Sequence, residues 1–265
     1  MAVSTLKRCC ALGLALAAAA TLCSCGGRYP VPDRPTVESS ERQFTAPAEG
    51  DTIAIFTTSL GEVRAVLYPD AAPMAVYNFA GLARSGYYDD TVIWRSQYGF
   101  AVQGGDAEGT GTGGATIYNN NPIPLEADGS LRHYAGALCL ATVAGDANSG
   151  GSQFYFVTAL PDSVDEEMQS QLSANGYTAE QVSAYAEAGG LPYLDNTDTV
   201  FGQVYQGMAV VDRMACVDTV QNEDGTDSYR PTEEDTITIE RVTIAQYPGP
   251  TAEEIAASAE SAAAE

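Results

Sequence analysis

Basic residues are scarce in this sequence. Its 265 residues include one lysine and eleven arginines, against 35 Asp and Glu, and the formal net charge is −23. Lys7 and Arg8 both fall in the N-terminal segment 1–24, so the rest of the chain is more acidic still. A polyanionic surface repels phosphate groups and anionic lipid headgroups. The composition therefore excludes a protein that binds nucleic acid through a basic patch.

Histidine is rarer still, because His133 is the only one, and no two cysteines have CxxC spacing. A zinc site made of Cys and His is therefore excluded, and we predict neither a metal nor a cofactor. A Ser-His-Asp triad is not supported, and we expect His133 to satisfy local hydrogen bonds. Asp106, Glu108 and the run 119–121 lack EF-hand spacing, which favours a solvated turn over a calcium site.

Apolar runs long enough to cross a bilayer are absent after residue 25. Residues 1–24 have the pattern of a signal peptide, in which a Lys-Arg pair precedes a short apolar run. That run ends in Leu-Cys-Ser-Cys, which resembles a bacterial lipobox with Cys25 as the lipid anchor. The alternative is an ordinary cleaved signal peptide and a spare thiol. We predict an extracytoplasmic protein that a lipid on Cys25 attaches to the bacterial cell membrane.

Two segments without apolar periodicity flank the foldable part of the chain. Residues 25–50 are rich in Pro, Ser, Glu and Arg and are predicted to form a flexible tether, and residues 248–265 a disordered acidic Ala/Glu tail. The domain is predicted to span 51–247. It contains Cys139 and Cys216, which an oxidising compartment would allow to pair. We favour two free thiols, because Cys139 lies in a strand-like apolar run.

Within the domain, many short strand patterns are separated by glycine-rich turns. One helix is predicted with Pro73 in its first turn and an end near Gly86, and a second over 208–215. This order favours a mainly β fold with an antiparallel barrel over an alternating βαβ sheet. The predicted strands are 52–58, 63–68, 91–95, 100–103, 137–142, 153–158, 199–205 and 236–245.

A helical pattern interrupts the strands at 163–190. Ser163 with Glu166, and Thr178 with Gln181, have the spacing of capping boxes, and glycines end both apolar repeats. The segment is therefore predicted to be an inserted helical hairpin. We hypothesise that it lies beside the functional site and helps to choose substrates; the alternative is a solvated decoration.

The densest motif runs from Trp94 to Gly114. It has an Arg, a Phe five positions later, a Gln three positions beyond, and a Gly-Gly-Asp before a Gly-Thr-Gly-Gly turn. These residues are Arg95, Phe100, Gln103, 104–106 and 111–114. With the motifs at 78–79, 151–155, 194–195 and 200–204, they make the chain resemble the cyclophilin family of peptidyl-prolyl cis-trans isomerases from residue 51 to about 245.

The resemblance implies a closed eight-stranded antiparallel β-barrel capped by two helices, and an enzyme that isomerises Xaa-Pro bonds. By likeness to the family, Arg95 donates to the proline nitrogen, Phe100 forms the floor of the proline pocket, and Gln103 orients the arginine. The implied partners are proline-containing segments of secreted or surface proteins, bound by a monomer. The implied substrate-binding positions are Ala101, Gly111, Ala141, Thr142, Gln153, Tyr155, Tyr193, Leu194 and Asp198.

Four of these positions depart from the usual family residues. Ala101 stands where the family has Met, Tyr155 where it has Phe, Tyr193 where it has Trp, and Asp198 where it has His. The first two keep an apolar pocket of altered shape. Asp198 is expected to put a carboxylate at the pocket rim, where it would weaken binding or favour basic residues near the proline. Tyr193 lacks an indole N–H, so we expect weak inhibition by cyclosporin.

Two other classes of protein remain as alternatives. The altered pocket would also suit a binding or chaperone module that holds proline-containing segments with little or no turnover. A solute-binding lipoprotein would agree with Cys25 and the predicted tether. It would require two lobes of alternating helices and strands, which the chain lacks.

Overall fold

The computed structural model describes residues 28–251. The predicted signal peptide, Cys25 and residues 252–265 of the predicted tail lie outside the described residues. The helices are α1 (Pro73–Arg84), α2 (Glu166–Ala174), α3 (Ala179–Ala188) and α4 (Met208–Ala215). The strands are β1 (Thr52–Thr58), β2 (Gly61–Leu67), β3 (Thr91–Ile93), β4 (Arg95–Gln97), β5 (Ala101–Gly104), β6 (Ala137–Leu140), β7 (Phe154–Val157), β8 (Val200–Gln206), β9 (Thr219–Gln221), β10 (Asp227–Pro231) and β11 (Ile237–Gln246).

Nine of these strands form one antiparallel sheet in the order β3-β11-β1-β2-β8-β6-β7-β5-β4. Its two end strands, β3 and β4, are consecutive in the chain and separated only by Trp94. The N–H of Trp94 donates to the carbonyl of Gln103 on β5, so the sheet returns to the place where it began. Counted as one bent strand, β3 and β4 give the eight strands of a nearly closed barrel, which confirms the predicted mainly β fold.

The barrel interior is filled by aromatic side chains. Phe56, Phe79, Phe154 and Phe156 are at most 2% exposed, and their rings pack at centroid distances of 5.1–5.7 Å. Such tilted and edge-on ring pairs favour a dry, close-packed core. The core fixes the strands whose outer face carries the candidate site.

Helices α1 and α4 cover the barrel, as predicted. Pro73 occupies the first turn of α1, where its missing N–H costs no hydrogen bond. The Glu126 carboxylate accepts the free N–H groups of Met74 and Ala75 at 3.0 and 2.9 Å, which caps the positive end of the helix dipole. The buried face of α1 then packs Val76 and Phe79 into the core.

The predicted helical hairpin is present as α2 and α3. Thr178 and Gln181 form the expected capping box of α3. The predicted box at Ser163 is wrong, because the Asp165 side chain caps α2 and the Ser163 hydroxyl donates to the Gly190 carbonyl instead. An Asp side chain is as good a cap as Ser, so the spacing alone could not decide between them.

The predicted flexible tether does not describe residues 28–46, which are fixed to the domain by specific side chains. Arg34 donates to both carboxylate oxygens of Asp212 at 2.7 and 2.8 Å. Gln43 is 5% exposed and donates to the side chain of Gln203. A segment poor in apolar residues is therefore held by buried polar contacts, which composition does not reveal.

Both cysteines of the described range are free and buried, in agreement with the prediction of unpaired thiols at Cys139 and Cys216. Within residues 28–251, no helix has the length and apolar character needed to cross a membrane.

Candidate functional site

Strands β5, β6 and β7 are apolar on both faces because they separate two apolar clusters. On β7, Phe154 and Phe156 point into the barrel core, whereas Tyr155 and Val157 belong to a cluster on the outer face. Ala101 of β5 and Cys139 of β6 lie in the same outer cluster. This outer cluster, with the partly buried residues around it, forms the candidate site.

The strand register places three predicted site residues side by side. Arg95 on β4 pairs with Gln103 on β5, and Gln103 pairs with Tyr155 on β7. Opposed residues of antiparallel strands point to the same face, so these side chains form one row across the outer surface. Phe100 packs against the same cluster from the turn before β5. The structure thus brings together the three residues predicted to be catalytic.

Arg95 lies at the edge of this row with its guanidinium on aromatic carbon. The guanidinium carbon is 5.1 Å from the centroid of the Phe100 ring, within the range of a cation–π contact. Burial lowers the pKa of Arg95 from its ordinary value, but an arginine stays charged after such a shift. A partly buried cation therefore lies against the outer apolar cluster, where its N–H groups bind an acceptor more strongly than in water.

Gln97, rather than Gln103, is the glutamine hydrogen-bonded to Arg95. The Arg95 Nη2 donates to Gln97 Oε1 at 2.6 Å. The Gln103 amide donates instead to Gln153 Oε1 at 3.0 Å. Gln103, which is expected to orient the arginine, thus makes its side-chain hydrogen bond to Gln153 and not to Arg95, so its orienting role stays a prediction.

Gln153 connects the site to the glycine-rich loop. Its Oε1 also accepts from the indole N–H of Trp94 at 3.1 Å, and its Nε2 donates to the carbonyls of Gly111 and Gly113 at 3.1 and 2.8 Å. Gly111 has φ +88, and a Cβ there would lie 2.8 Å from the Trp94 ring, so only glycine fits. Gln153 therefore fixes the wall of the site as well as lining it.

The same loop is a turn built around Asp106, and the solvated turn predicted at this residue is wrong, because its side chain is buried. Burial would raise the pKa of the Asp106 carboxyl, but N–H groups of the loop, from Glu108, Gly113 and Gly111, bring it below its ordinary value. The carboxylate also accepts from the Thr110 N–H and hydroxyl at 3.0 Å. Asp106 is fully buried, so this carboxylate organises the loop from inside.

A groove of about 590 Å³ extends from Gln103 and Gln153 along the glycine-rich loop. Ala141 and Thr142 line its other side, and Gly111 contributes to its wall. These three predicted substrate-binding residues therefore face one open channel beside the row of Arg95, Gln103 and Tyr155.

Two of the departures from the family are coupled. The Tyr155 hydroxyl donates to Asp198 Oδ2 at 2.7 Å, and Thr142 Oγ1 lies 3.5 Å from the other carboxylate oxygen. The Asp198 carboxylate, which is expected at the pocket rim, therefore accepts a hydrogen bond from the hydroxyl that distinguishes Tyr155 from the usual Phe. Burial, together with the Cys139 and Asp198 charges, raises the pKa of Tyr155 well above its ordinary value.

Of the remaining predicted substrate-binding positions, Leu194 packs on the outer cluster and Tyr193 is 59% exposed.

We expect the Tyr155 and Asp198 substitutions to show this coupling. Tyr155→Phe removes a hydrogen bond to a charged group and should lower the free energy of unfolding by about 1–2 kcal/mol, since Asp198 is partly exposed. In a double-mutant cycle with Asp198→Ala, measured by denaturant unfolding, the second change should then cost less than it does alone. Strictly additive effects would show that the two side chains do not interact.

The helical hairpin reaches the site through a buried carboxylate. Asp195 accepts from the hydroxyls of Tyr177 and Tyr185, each at 2.8 Å, and from the His133 backbone N–H at 2.9 Å. The His133 ring is 2.8 Å from Asp195 and stacks on Tyr155 with centroids 6.5 Å apart. The His133 backbone N–H and ring Nδ1 thus bond locally to Asp195, as predicted, but the buried Nε2 has no hydrogen-bond partner among the described residues. Tyr177 and Tyr185 anchor the hairpin to the same carboxylate.

The strand pair β9–β10 is absent from the sequence predictions, yet it lies at the site. Tyr229 of β10 places its ring 5.9 Å from the guanidinium carbon of Arg95. Both strands are short, and Pro231 is the one buried residue in them, so they lack the apolar alternation that reveals a strand. The Asp224-Gly225 pair is the one turn signal that could have indicated this hairpin.

Comparisons with known proteins agree with this geometry. The family model "Cyclophilin type peptidyl-prolyl cis-trans isomerase/CLD" matches residues 52–244. A Staphylococcus saprophyticus protein named for peptidyl-prolyl cis-trans isomerase activity is 40% identical over 61% of this chain and 79% of its own length. A Streptococcus pyogenes protein named as a bifunctional phosphatase and peptidyl-prolyl isomerase is 40% identical over 61% of this chain, which spans 34% of the streptococcal protein.

Solved structures give the same fold. A cyclophilin-type isomerase of Cryptosporidium parvum is 25% identical, with a TM-score of 0.56 over 75% of this chain and 99% of its own. The same parasite protein, crystallised in the presence of the dipeptide Ala-Pro, superimposes with a TM-score of 0.55 over 74% of this chain and 99% of its own, at 24% identity.

Proposed function

Since the chain belongs to the cyclophilin family of peptidyl-prolyl cis-trans isomerases, we propose that Arg95 promotes rotation about Xaa-Pro bonds by donating to the proline nitrogen. Peptidyl-prolyl isomerisation is the activity of the family and of this chain. The observation that carries the mechanism is the row of Arg95, Gln103 and Tyr155 beside the Phe100 ring. The row joins a charged donor to the apolar surface of Phe100 and Tyr155.

The chemistry needs no nucleophile. Rotation about the bond before proline faces a barrier of about 20 kcal/mol, because the C–N bond has partial double-bond character. In the twisted state the conjugation is lost and the nitrogen becomes a pyramidal acceptor. A guanidinium N–H that meets this lone pair stabilises the twisted state more than either planar isomer, and so accelerates exchange in both directions.

The remaining residues would hold the substrate on either side of the reacting bond. Phe100, Ala101, Tyr155 and Leu194 present apolar surface to the proline ring. The groove along Gln103, Gly111 and Ala141 would accommodate the adjoining peptide.

Exchange spectroscopy on an Ala-Pro peptide tests the activity. We expect the full chain to broaden or exchange the cis and trans resonances at substoichiometric concentration. Peptide binding without faster exchange would identify a proline-peptide-binding module instead.

We also propose that the enzyme acts on extracytoplasmic proteins from a lipid anchor on Cys25. The support is the apolar run that ends in Leu-Cys-Ser-Cys after a Lys-Arg pair. On expression in a bacterium, the wild-type protein should incorporate labelled fatty acid and sediment with membranes. Cys25→Ser should abolish both, because a serine cannot form the thioether. Equal labelling of the two proteins would exclude Cys25 as the anchor.

A further inference from the structure

The β9–β10 hairpin is fastened to the site from two sides. Arg230 donates to the carbonyls of Gly109 and Thr110, at 2.9 and 3.3 Å, at the start of the glycine-rich loop. On the opposite side, Arg28 forms an ion pair with Asp227 at 2.6 Å. The hairpin therefore has a fixed position relative to β4, which carries Arg95.

A bulge in β10 sets the direction of one side chain. Thr219 pairs with Pro231 and Gln221 pairs with Asp227, so three residues on β10 oppose one on β9. The middle residue, Tyr229, has φ +57, which a bulky side chain rarely adopts. Its N–H donates to Asp227 Oδ1 at 2.7 Å, which helps to hold this conformation. Bulges beside active sites commonly re-aim a side chain, and strained residues cluster there.

The bulge places the Tyr229 ring on the catalytic guanidinium. The guanidinium carbon of Arg95 is 5.1 Å from the Phe100 centroid and 5.9 Å from the Tyr229 centroid. Both distances lie within the range in which a ring face attracts a cation. Two aromatic rings and the hydrogen bond to Gln97 therefore restrict a side chain that otherwise has many rotamers.

We infer that Tyr229 is a positioning residue, whose ring holds the Arg95 guanidinium beside Phe100 in the orientation that isomerisation requires. The inference rests on the proposed donation by Arg95 to the proline nitrogen. Tyr229 acts through the arginine and need not touch the substrate. Its loss should therefore lower the catalysed rate at saturating peptide and leave peptide affinity unchanged.

The test compares three variants of the full chain with wild type. Tyr229→Asn removes the ring but tolerates the left-handed backbone, so it adds no strain. Tyr229→Phe keeps the ring without the hydroxyl. Tyr77→Ala is the control, because Tyr77 is 60% exposed on α1 and lies outside the site. Exchange spectroscopy on an Ala-Pro peptide gives the rate at saturation and the Kd separately.

We expect Tyr229→Asn to reduce the saturated exchange rate about 2- to 5-fold at constant Kd, as the loss of one cation–π contact from a ring that is 36% exposed implies. Tyr229→Phe and Tyr77→Ala should retain the wild-type rate. An unchanged rate in Tyr229→Asn, or a raised Kd with an unchanged saturated rate, would overturn the inference. If Arg95→Ala also retained the wild-type rate, the proposed mechanism itself would fail.

A measurement on the wild-type protein covers the case in which Tyr229→Asn does not fold. Selective labelling of arginine and tyrosine should give a nuclear Overhauser effect between the Tyr229 ring protons and the Arg95 δ-methylene protons. Its absence in the folded protein would overturn the inference without any variant.

Discussion

Arg95→Ala should lower kcat/KM for an Ala-Pro peptide by about 10²–10³-fold, the usual cost of removing one donor that acts at the transition state. The apolar surface of Phe100 and Tyr155 remains in this variant, so peptide binding should persist. Arg95 is partly exposed, so the melting temperature should change little. Exchange spectroscopy gives kcat/KM, and thermal unfolding checks the fold.

Arg95→Lys is the matched control for charge. Lysine keeps the positive charge but has a compact ammonium on a flexible chain, without the planar fork that can bond to Gln97 and stack on Phe100. Its kcat/KM should therefore lie nearer to that of Arg95→Ala than to wild type. Wild-type kcat/KM in Arg95→Ala would remove the arginine from the mechanism and leave the pocket as the only catalytic device.

The sequence predicts the barrel well, and it also predicts that Arg95, Gln103 and Tyr155 lie side by side, because both follow from strand periodicity. Successive side chains of a strand point to opposite faces of the sheet, so Phe154 points inward and Tyr155 points outward. The family motif then places Arg95 and Gln103 eight positions apart, on strands joined by a tight turn. Antiparallel pairing makes them neighbours.

The parts that the sequence does not predict depend on contacts between distant single residues. Tyr229 reaches Arg95 through a bulge and a left-handed tyrosine, and no local pattern signals either. Arg95 bonds to Gln97, and the Gln103 amide bonds to Gln153, a residue 50 positions away in the chain. The tertiary packing of the strands, and not the local sequence, therefore determines which side chains form these contacts.

The N-terminal segment 28–46 is another part of the structure that the sequence does not predict, because distant residues hold it in place. A composition rich in Pro, Ser and charged residues ordinarily predicts a chain that cannot bury enough apolar surface to become ordered. Here Arg34 reaches Asp212, 178 positions later in the chain, and it also donates to the carbonyls of Thr158, Ala159 and Ala188 at 2.9–3.2 Å. The Arg34 guanidinium thus joins the segment to α3, to α4 and to the chain that follows β7.

Arg34→Met should consequently lower the free energy of unfolding by about 3–5 kcal/mol, since it leaves a buried carboxylate without its partner. Asp212 is 2% exposed, so water cannot replace the lost hydrogen bonds. Denaturant unfolding measures the change, and limited proteolysis should show new cleavage within residues 28–46. The double variant Arg34→Met/Asp212→Leu should be more stable than Arg34→Met, because it removes the unpaired charge as well.

The surface pair of Arg64 and Glu62 provides the control. Its N–O distance is also 2.7 Å, but the two side chains are 35% and 44% exposed. Arg64→Met should therefore cost at most about 1 kcal/mol, because water solvates the remaining carboxylate. Equal losses from Arg34→Met and Arg64→Met would mean that the Arg34–Asp212 pair does not hold the segment. A large loss at Arg34 alone would establish residues 28–46 as part of the folded domain.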